Sequence, residues 1–433
     1  MSVVVEPGGA APGVDWRGRL AHVVDMMREV SRQTDPQNMV KVYAARVRAL
    51  TPTDRLISIS RRGLSWPEFR VTRSSTWTEE INPWKQVERL PLRRGGVLAE
   101  MLYGNEARLI EDAELAEDDP AREFVGEMRS LAAIPMFDRG EALNMTVLMR
   151  REAGAFDAER YPEMVLQGNL FGRATHTLVL ADDLSAALEA LDREMQQVAS
   201  IQRSLLPAEL PKISTMELAA HYETSTQAGG DYYDFFDLGD ERWGILIADV
   251  TGHGTPAAVV MAITHAIAHQ FAGPHECPAA MLEHLNRELT KRYTNNSGTF
   301  VTAFYGVYDA RSRALTYASA GHNPPRLKRC EDGTLTALDA AGGLPLGIEM
   351  DAEFTPARHA LRPGDQIIFY TDGVTEAFNT QGEMFGTERL DRVLTACRPM
   401  ASILISATLD ALRDFTRGRP ADDDRTILVA RVR

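Results

Sequence analysis

The stretch Ile247-Ala-Asp-Val-Thr-Gly-His-Gly254 limits the folds open to this chain more than any other. Apolar and small residues end a buried strand at an aspartate, and a Gly-His-Gly turn then opens a helix expected over 255–269. Glycine on either side of His253 lets the backbone come close to an ion or a phosphate, because it adds no Cβ and accepts positive φ. An aspartate at a strand end commonly does no more than cap the next helix. Here two further strand ends carry the same residue. Tyr370-Thr-Asp-Gly373 closes an apolar run, and Ala421-Asp-Asp-Asp-Arg-Thr426 precedes Ile427-Leu-Val-Ala430. Each alone reads as a turn or a solvated acidic loop. Together, carboxylates at the ends of separate strands can converge as ligands of hard divalent cations.

A chain of 433 residues is long enough for two or three domains, each with its own core. Its formal net charge of -14 argues against a nucleic-acid partner, which calls for a basic stripe. No apolar run reaches the roughly 18 residues of a membrane span, and no basic segment with an apolar core opens the chain. The expectation is a cytoplasmic protein. Cys277, Cys330 and Cys397 are isolated and odd in number, a pattern of reduced thiols instead of a disulfide frame or a zinc site.

Residues 1–15 are rich in Gly, Pro and Ala and are expected to be disordered. Helical spacing then begins near Leu20, with Val23, Val24, Met27 and Val30 on one face. Leu56–Ser60 and Phe69–Thr72 read as strands, and Leu98–Tyr103 as a helix. Ser130–Phe137 and Ala142–Met149 read as strands joined by the turn Asp138-Arg-Gly140. This succession resembles a GAF domain, an α/β sensor fold, within residues 16–178. The resemblance implies a small ligand or a protein signal at this domain. Trp66, Trp77 and Trp84 lie where such domains hold a ligand, and equally suit core or dimer contacts. No cysteine in the block could attach a bilin.

A helix is expected over 162–206, with its linker part at 179–206. Leu184, Leu188, Leu191, Met195, Val198, Gln202 and Leu205 recur in steps of four and three, a heptad seam. The favoured reading is a parallel coiled coil joining two chains as a homodimer. A helix packed on its own domain would show a wider apolar stripe. Gln202 interrupts the seam just before Pro207, and marks a point where a signal could pass between domains.

Residues 207–433 alternate strand pairs with helical pairs, which suggests sheets covered by helices. In order they contain, with the end of the helix before them, Ile201-Gln-Arg-Ser-Leu-Leu-Pro207, Gly229-Gly-Asp-Tyr-Tyr-Asp234, Asp249-Val-Thr-Gly-His-Gly254, Gly298-Thr-Phe-Val-Thr302, Ala320-Gly-His-Asn-Pro324, Tyr370-Thr-Asp-Gly373 and Asp423-Asp-Arg-Thr426. This series resembles the SpoIIE/RsbU-type branch of the PPM metal-dependent serine/threonine phosphatases. Gly229-Gly-Asp231 alone also suggests a cyclic-dinucleotide cyclase, but Tyr232 and Tyr233 replace the residues that signature needs. The fold class implied is α+β and multidomain: a GAF-like sensor, a helical coiled-coil linker and a PPM-type α-β-β-α sandwich.

The resemblance also implies roles. Asp249 bridges two divalent ions, Mn²⁺ or Mg²⁺, beside the carbonyl of Val250. Asp372 and Asp423 complete the ligands, and Asp231 contacts an ion directly or through water. Asp234 is a candidate supporting residue, His253 a candidate proton donor to the leaving group, and His322 a structural residue. The phosphate-holding arginine of eukaryotic members has no secure equivalent; Arg203 belongs to the linker helix.

The chemistry suits a phosphate monoester, whose negative charge repels nucleophiles. Paired ions neutralise that charge and lower the pKa of a bridging water, so no covalent nucleophile is needed. Oxygen ligands without convergent Cys or His favour Mg²⁺ or Mn²⁺ over zinc. By resemblance the substrate is a phosphorylated anti-sigma factor antagonist. Two alternatives stand beside catalysis: a phosphatase-like switch that binds phosphoproteins without hydrolysis, and a GAF receptor for which the phosphatase is only the output.

Overall fold

The structure is a computed structural model that describes residues 16–294 and 298–433; the expected disorder of residues 1–15 lies outside them. The chain divides into two compact units, 1–188 and 189–433.

The first unit opens with helices α1 (Trp16–Ser31) and α2 (Pro36–Leu50), the latter capped by Asp35, which accepts from the Asn38 amide. Strands β1 (Arg55–Ser60), β2 (Glu68–Ser74) and β3 (Leu92–Arg94) follow, then helix α3 (Gly96–Tyr103), strand β4 (Arg108–Ile110), the short helix α4 (Arg122–Val125), and strands β5 (Ser130–Asp138) and β6 (Glu141–Arg150). They form a six-stranded antiparallel sheet of order β3-β2-β1-β6-β5-β4. The β5–β6 turn falls on Arg139 and Gly140, both at positive φ, as a tight hairpin requires. Alternation sorts the strands: Ile57, Ile59, Met145 and Val147 face α3, while Leu56 and Leu148 face the opposite side. Of these three tryptophans, Trp77 packs on the first core, Trp66 meets Tyr103 edge-on, and Trp84 lines a cavity.

Helix α5 (Tyr161–Arg203) runs 43 residues, close to the expected bounds. Its heptad face has two fates. Leu184, Leu188 and Leu191 are 50–61% exposed. From Met195 onward the same face turns into the second unit: Met195 sulfur accepts from Thr255, and Gln202 is buried at 4% exposure.

The second unit begins with β7 (Met216–Glu223), β8 (Tyr232–Asp237) and β9 (Arg242–Val250), then α6 (Thr255–Gln270) and α7 (Pro278–Leu289). Strands β10 (Val301–Asp309), β11 (Ala314–Ala320), β12 (Arg326–Lys328), β13 (Leu335–Ala337), β14 (Ala357–Ala360) and β15 (Gln366–Tyr370) come next. Helices α8 (Asp372–Thr375), α9 (Gly386–Leu394) and α10 (Ala401–Thr416) precede the last strand, β16 (Arg425–Val432). Two five-stranded sheets result, β14-β11-β10-β9-β8 and β13-β12-β15-β16-β7. Period-two burial explains the layering. Ile245 and Ile247 of β9 meet Phe369 and Leu428 between the sheets, while Leu246 and Ala248 pack on Met261 and Leu282 of α6 and α7. Ile368 and Val429 face α10 on the far side. The unit is a four-layer α-β-β-α sandwich.

One expectation fails. Cys330 and Cys397 form a disulfide across 67 residues, and only Cys277 is free. Spacing could not reveal this, because tertiary pairing makes them neighbours. Lys328 of β12 pairs with Gln366 of β15, and the Gln366 side chain bonds the backbone of Arg398, next to Cys397.

Leu428 is fully buried between the sheets. Leu428→Ala is expected to cost about 2–5 kcal/mol through lost burial and a residual cavity. Urea unfolding of the full chain checks this through the transition of the second unit.

Candidate metal-dependent active site

Antiparallel pairing brings the ends of β9, β15 and β16 to one edge of the sandwich, and each delivers a carboxylate. Asp249 is the penultimate residue of β9, Asp372 opens α8 directly after β15, and Asp423 and Asp424 immediately precede β16. Asp231 enters from the loop before β8 and is buried at 1% exposure. Its Oδ2 accepts from the hydroxyls of Thr371 (2.8 Å), the residue after β15, and Thr426 (2.6 Å), the second residue of β16. The Thr426 amide in turn donates to Thr371 Oγ1 at 3.0 Å. These bonds stitch a residue of the first sheet to the ends of the second.

Asp424 points the other way. Its carboxylate accepts from the amides of Gly230 (2.6 Å) and Ser225 (2.8 Å), and so shapes the loop that carries Asp231. Gly230 packs so closely that a Cβ there would lie 2.7 Å from the Val250 carbonyl oxygen. A Cβ at Gly373 would collide with the Asp424 backbone. These glycines are required by close approach. Gln202 adds a clamp from α5: its side chain accepts from the Gly229 amide at 3.0 Å and donates to the Gly229 carbonyl at 2.5 Å.

The electrostatics follow from crowding. Burial, then the neighbouring Asp231, Asp372 and Asp423, pushes Asp249 up to about 10. Burial, with Asp424 and Asp372 nearby, pushes Asp231 up to about 8 against the opposing hydroxyl bonds. Burial and then Asp423 raise Asp372 to about 6. Among the described residues no lysine or arginine forms an ion pair with any of these carboxylates, and Asp231 Oδ1 is buried without a hydrogen-bond partner. An unpaired buried oxygen among mutually repelling carboxylates fits divalent cations. Asp231, Asp249, Asp372, Asp423 and the Val250 carbonyl are the residues that would hold them.

The remaining sequence candidates separate. His253 lies exposed in the turn between Gly252 and Gly254. His322 is buried, its Nδ1 is 2.9 Å from Thr302 Oγ1, and burial lowers it to about 4. Thr302 pairs with Asp249 across β9 and β10, so His322 supports the strand beside the one that carries the aspartate. Asp234 is outside the cluster: it bonds to Tyr232 and His269 on the helix-facing side of β8. Arg203 is exposed on α5. Thr371, Asp424 and Gln202 have positioning roles that the sequence reading missed, although all lie inside or beside the quoted motifs.

Residues 239–433 match the family described as Stage II sporulation protein E (SpoIIE). The phosphoserine phosphatase RsbU of Bacillus subtilis is 30% identical over 247 residues, covering 56% of this chain and 71% of RsbU. The chain belongs to the SpoIIE family of PP2C-type phosphatases. Protein IcfG of Synechocystis is also 30% identical, over 55% of this chain and 41% of IcfG. In fold, the SiaA-PP2C domain of Pseudomonas aeruginosa superposes with a TM-score of 0.50 at 24% identity, over 57% of this chain and 99% of that domain. The second unit is therefore a protein serine/threonine phosphatase domain of a divalent-metal-dependent class.

The raised carboxylates make a signed prediction. Without ions, the folded chain binds more protons than the unfolded chain above the ordinary carboxylate range, so these groups' contribution to stability falls as pH rises. Divalent cations replace those protons. The rise in Tm produced by Mn²⁺ over EDTA is expected to be larger at about pH 8 than at about pH 5.5. Equal shifts in thermal melts would contradict this account.

Proposed function

We propose that the protein hydrolyses phosphoserine or phosphothreonine on a partner protein. The convergence of Asp231, Asp249, Asp372 and Asp423 from two sheets carries this reading. Bound Mn²⁺ or Mg²⁺, two ions by resemblance, would neutralise phosphate oxygens and acidify a water for in-line attack. The chain's own part is to hold its carboxylates rigid. Asp249, Asp372 and Asp423 are partly exposed where a phosphate can reach, while Asp231 and Asp424 are buried behind them. His253, exposed beside this edge in sequence, is the proposed proton donor to the leaving seryl or threonyl oxygen.

The proposed substrate is a phosphorylated anti-sigma factor antagonist in a partner-switching circuit, supported by the ordered motifs shared with RsbU-type enzymes. The first unit is proposed as the GAF-like sensor. It contains a cavity of about 480 Å³ bordered by the stacked Tyr43 and Phe171 rings and by Arg73, whose guanidinium lies over Trp84. The exposed Leu184–Leu188–Leu191 face of α5 supports a homodimer through the linker. A cytoplasmic location fits this reading.

Purified protein is expected to hydrolyse p-nitrophenyl phosphate with Mn²⁺ or Mg²⁺ and not with EDTA. Asp372→Asn should lower turnover on the order of 100-fold or more, and Thr426→Val, which removes one of the two hydroxyls that hold Asp231, by roughly 10–100-fold. A protein that binds a phosphorylated partner but never releases phosphate would identify a binding switch instead. For the sensor, residues 189–433, which keep Gln202, should differ in turnover from the full chain. Identical kinetics would remove the regulatory role of the first unit.

A further inference from the structure

A second group of ligating side chains lies on the helix-facing side of β8, outside the carboxylate site. His265 and His269 are four residues apart on α6, so both imidazoles project from one helix face. Opposite them stands Asp234 of β8. One ligand atom from each of the three residues lies within 4.8 Å of the other two. His269 Nε2 is 2.7 Å from Asp234 Oδ2, and the two imidazole centroids are 4.4 Å apart.

The carboxylate is held in place. Tyr232 donates its hydroxyl to Asp234 Oδ2 at 2.6 Å, and the Phe235 amide donates to Oδ1 at 2.7 Å. Outer hydrogen bonds of this kind orient a ligating carboxylate. The Asp234 side chain is only 10% exposed, and its ion-pair partner among the described residues is His269. A carboxylate oriented in this way and facing two imidazoles offers a cation one oxygen and two nitrogen donors. His269 is 46% exposed, which leaves a path for entry.

We propose that Asp234, His265 and His269 form a transition-metal site that binds Zn²⁺, with water completing the coordination. Two imidazoles and one carboxylate suit zinc, whereas the all-oxygen cluster around Asp249 suits harder ions. The two sites are therefore chemically separate, although β8 and α6 connect them. Zinc here would fasten α6 to β8. The helix is the one that follows Asp249, after the turn that ends at Gly254.

The test uses the full chain loaded with Zn²⁺ in excess Mg²⁺, then desalted and analysed for bound zinc. Wild type is expected to retain one equivalent that His265→Ala and His269→Gln lose. The side-chain amide introduced by His269→Gln can still donate to Asp234, so this variant separates lost ligation from lost packing. Asp372→Asn should retain the zinc, which distinguishes this site from the carboxylate cluster. In parallel, Co²⁺-loaded wild type should show the visible bands of a nitrogen-ligated ion, absent from both histidine variants. Zinc should raise the Tm of wild type and not of His269→Gln. Equal zinc retention by the histidine variants, or no retention by wild type in Mg²⁺, would overturn the proposal.

Discussion

Mutual repulsion among Asp231, Asp249, Asp372 and Asp423 is the constraint around which the second unit is built. Left to themselves, these groups would move apart or stay protonated, and the raised proton affinities of Asp231, Asp249 and Asp372 show the tension. What holds them is the sandwich. The apolar layer of Ile247, Phe304, Phe369 and Leu428 fixes one sheet against the other, so strand ends cannot separate without exposing that core. Thr371 and Thr426 then bond Asp231 across the gap. The hydrophobic core thus supplies the rigidity, and the hydroxyls supply the aim.

Close backbone approach is the second requirement, and it explains why glycine recurs beside the aspartates. Gly230 has no room for a side chain above the Val250 carbonyl, and Gly373 has none above Asp424. Asp424 makes use of this proximity by accepting the Gly230 amide. The motifs therefore encode mutual steric permission as much as carboxylates. This is why Asp231, Asp249, Asp372 and Asp423 can be read from sequence: each stands beside a glycine or a strand end that has no other reason to be there. The α10 segment is legible for the simpler reason that its periodicity is clear, and β15 because it is a short continuous apolar run.

What escapes a reading of sequence is everything that depends on contact between distant segments. Cys330 and Cys397 read as unpaired because nothing local says that the α9–α10 loop lies against β15. Asp234 reads as a companion of Asp231, three residues away. Strand alternation instead turns it with Tyr232 and Phe236 toward the helices. Gln202 reads as a flaw in a heptad seam. It is a buried polar group whose amide satisfies both backbone groups of Gly229, which a leucine at that position could not do. A heptad pattern cannot tell these roles apart, since both require an inward-facing side chain.

The placement of Gln202 and of α6 gives the loop before β8 two independent supports. Gln202 reaches it from the end of α5, through Gly229. Helix α6 flanks the strand that follows it, through Asp234 and His269. The same helix is tied at its other end to Asp249 through the Thr251 loop, where Thr251 exchanges hydrogen bonds with Phe300 at 3.1 Å. An α-helix of 16 residues is a stiff rod of roughly 24 Å. Its two ends therefore move together, and a shift at one is felt at the other. A change in how α5 or α6 sits would alter Asp231 and Asp249 in concert, because the β8–β9 register, with Tyr232 opposite Ala248, sets the two aspartates side by side at one edge. Control of such a site requires only a small rigid displacement, not the unfolding of any element.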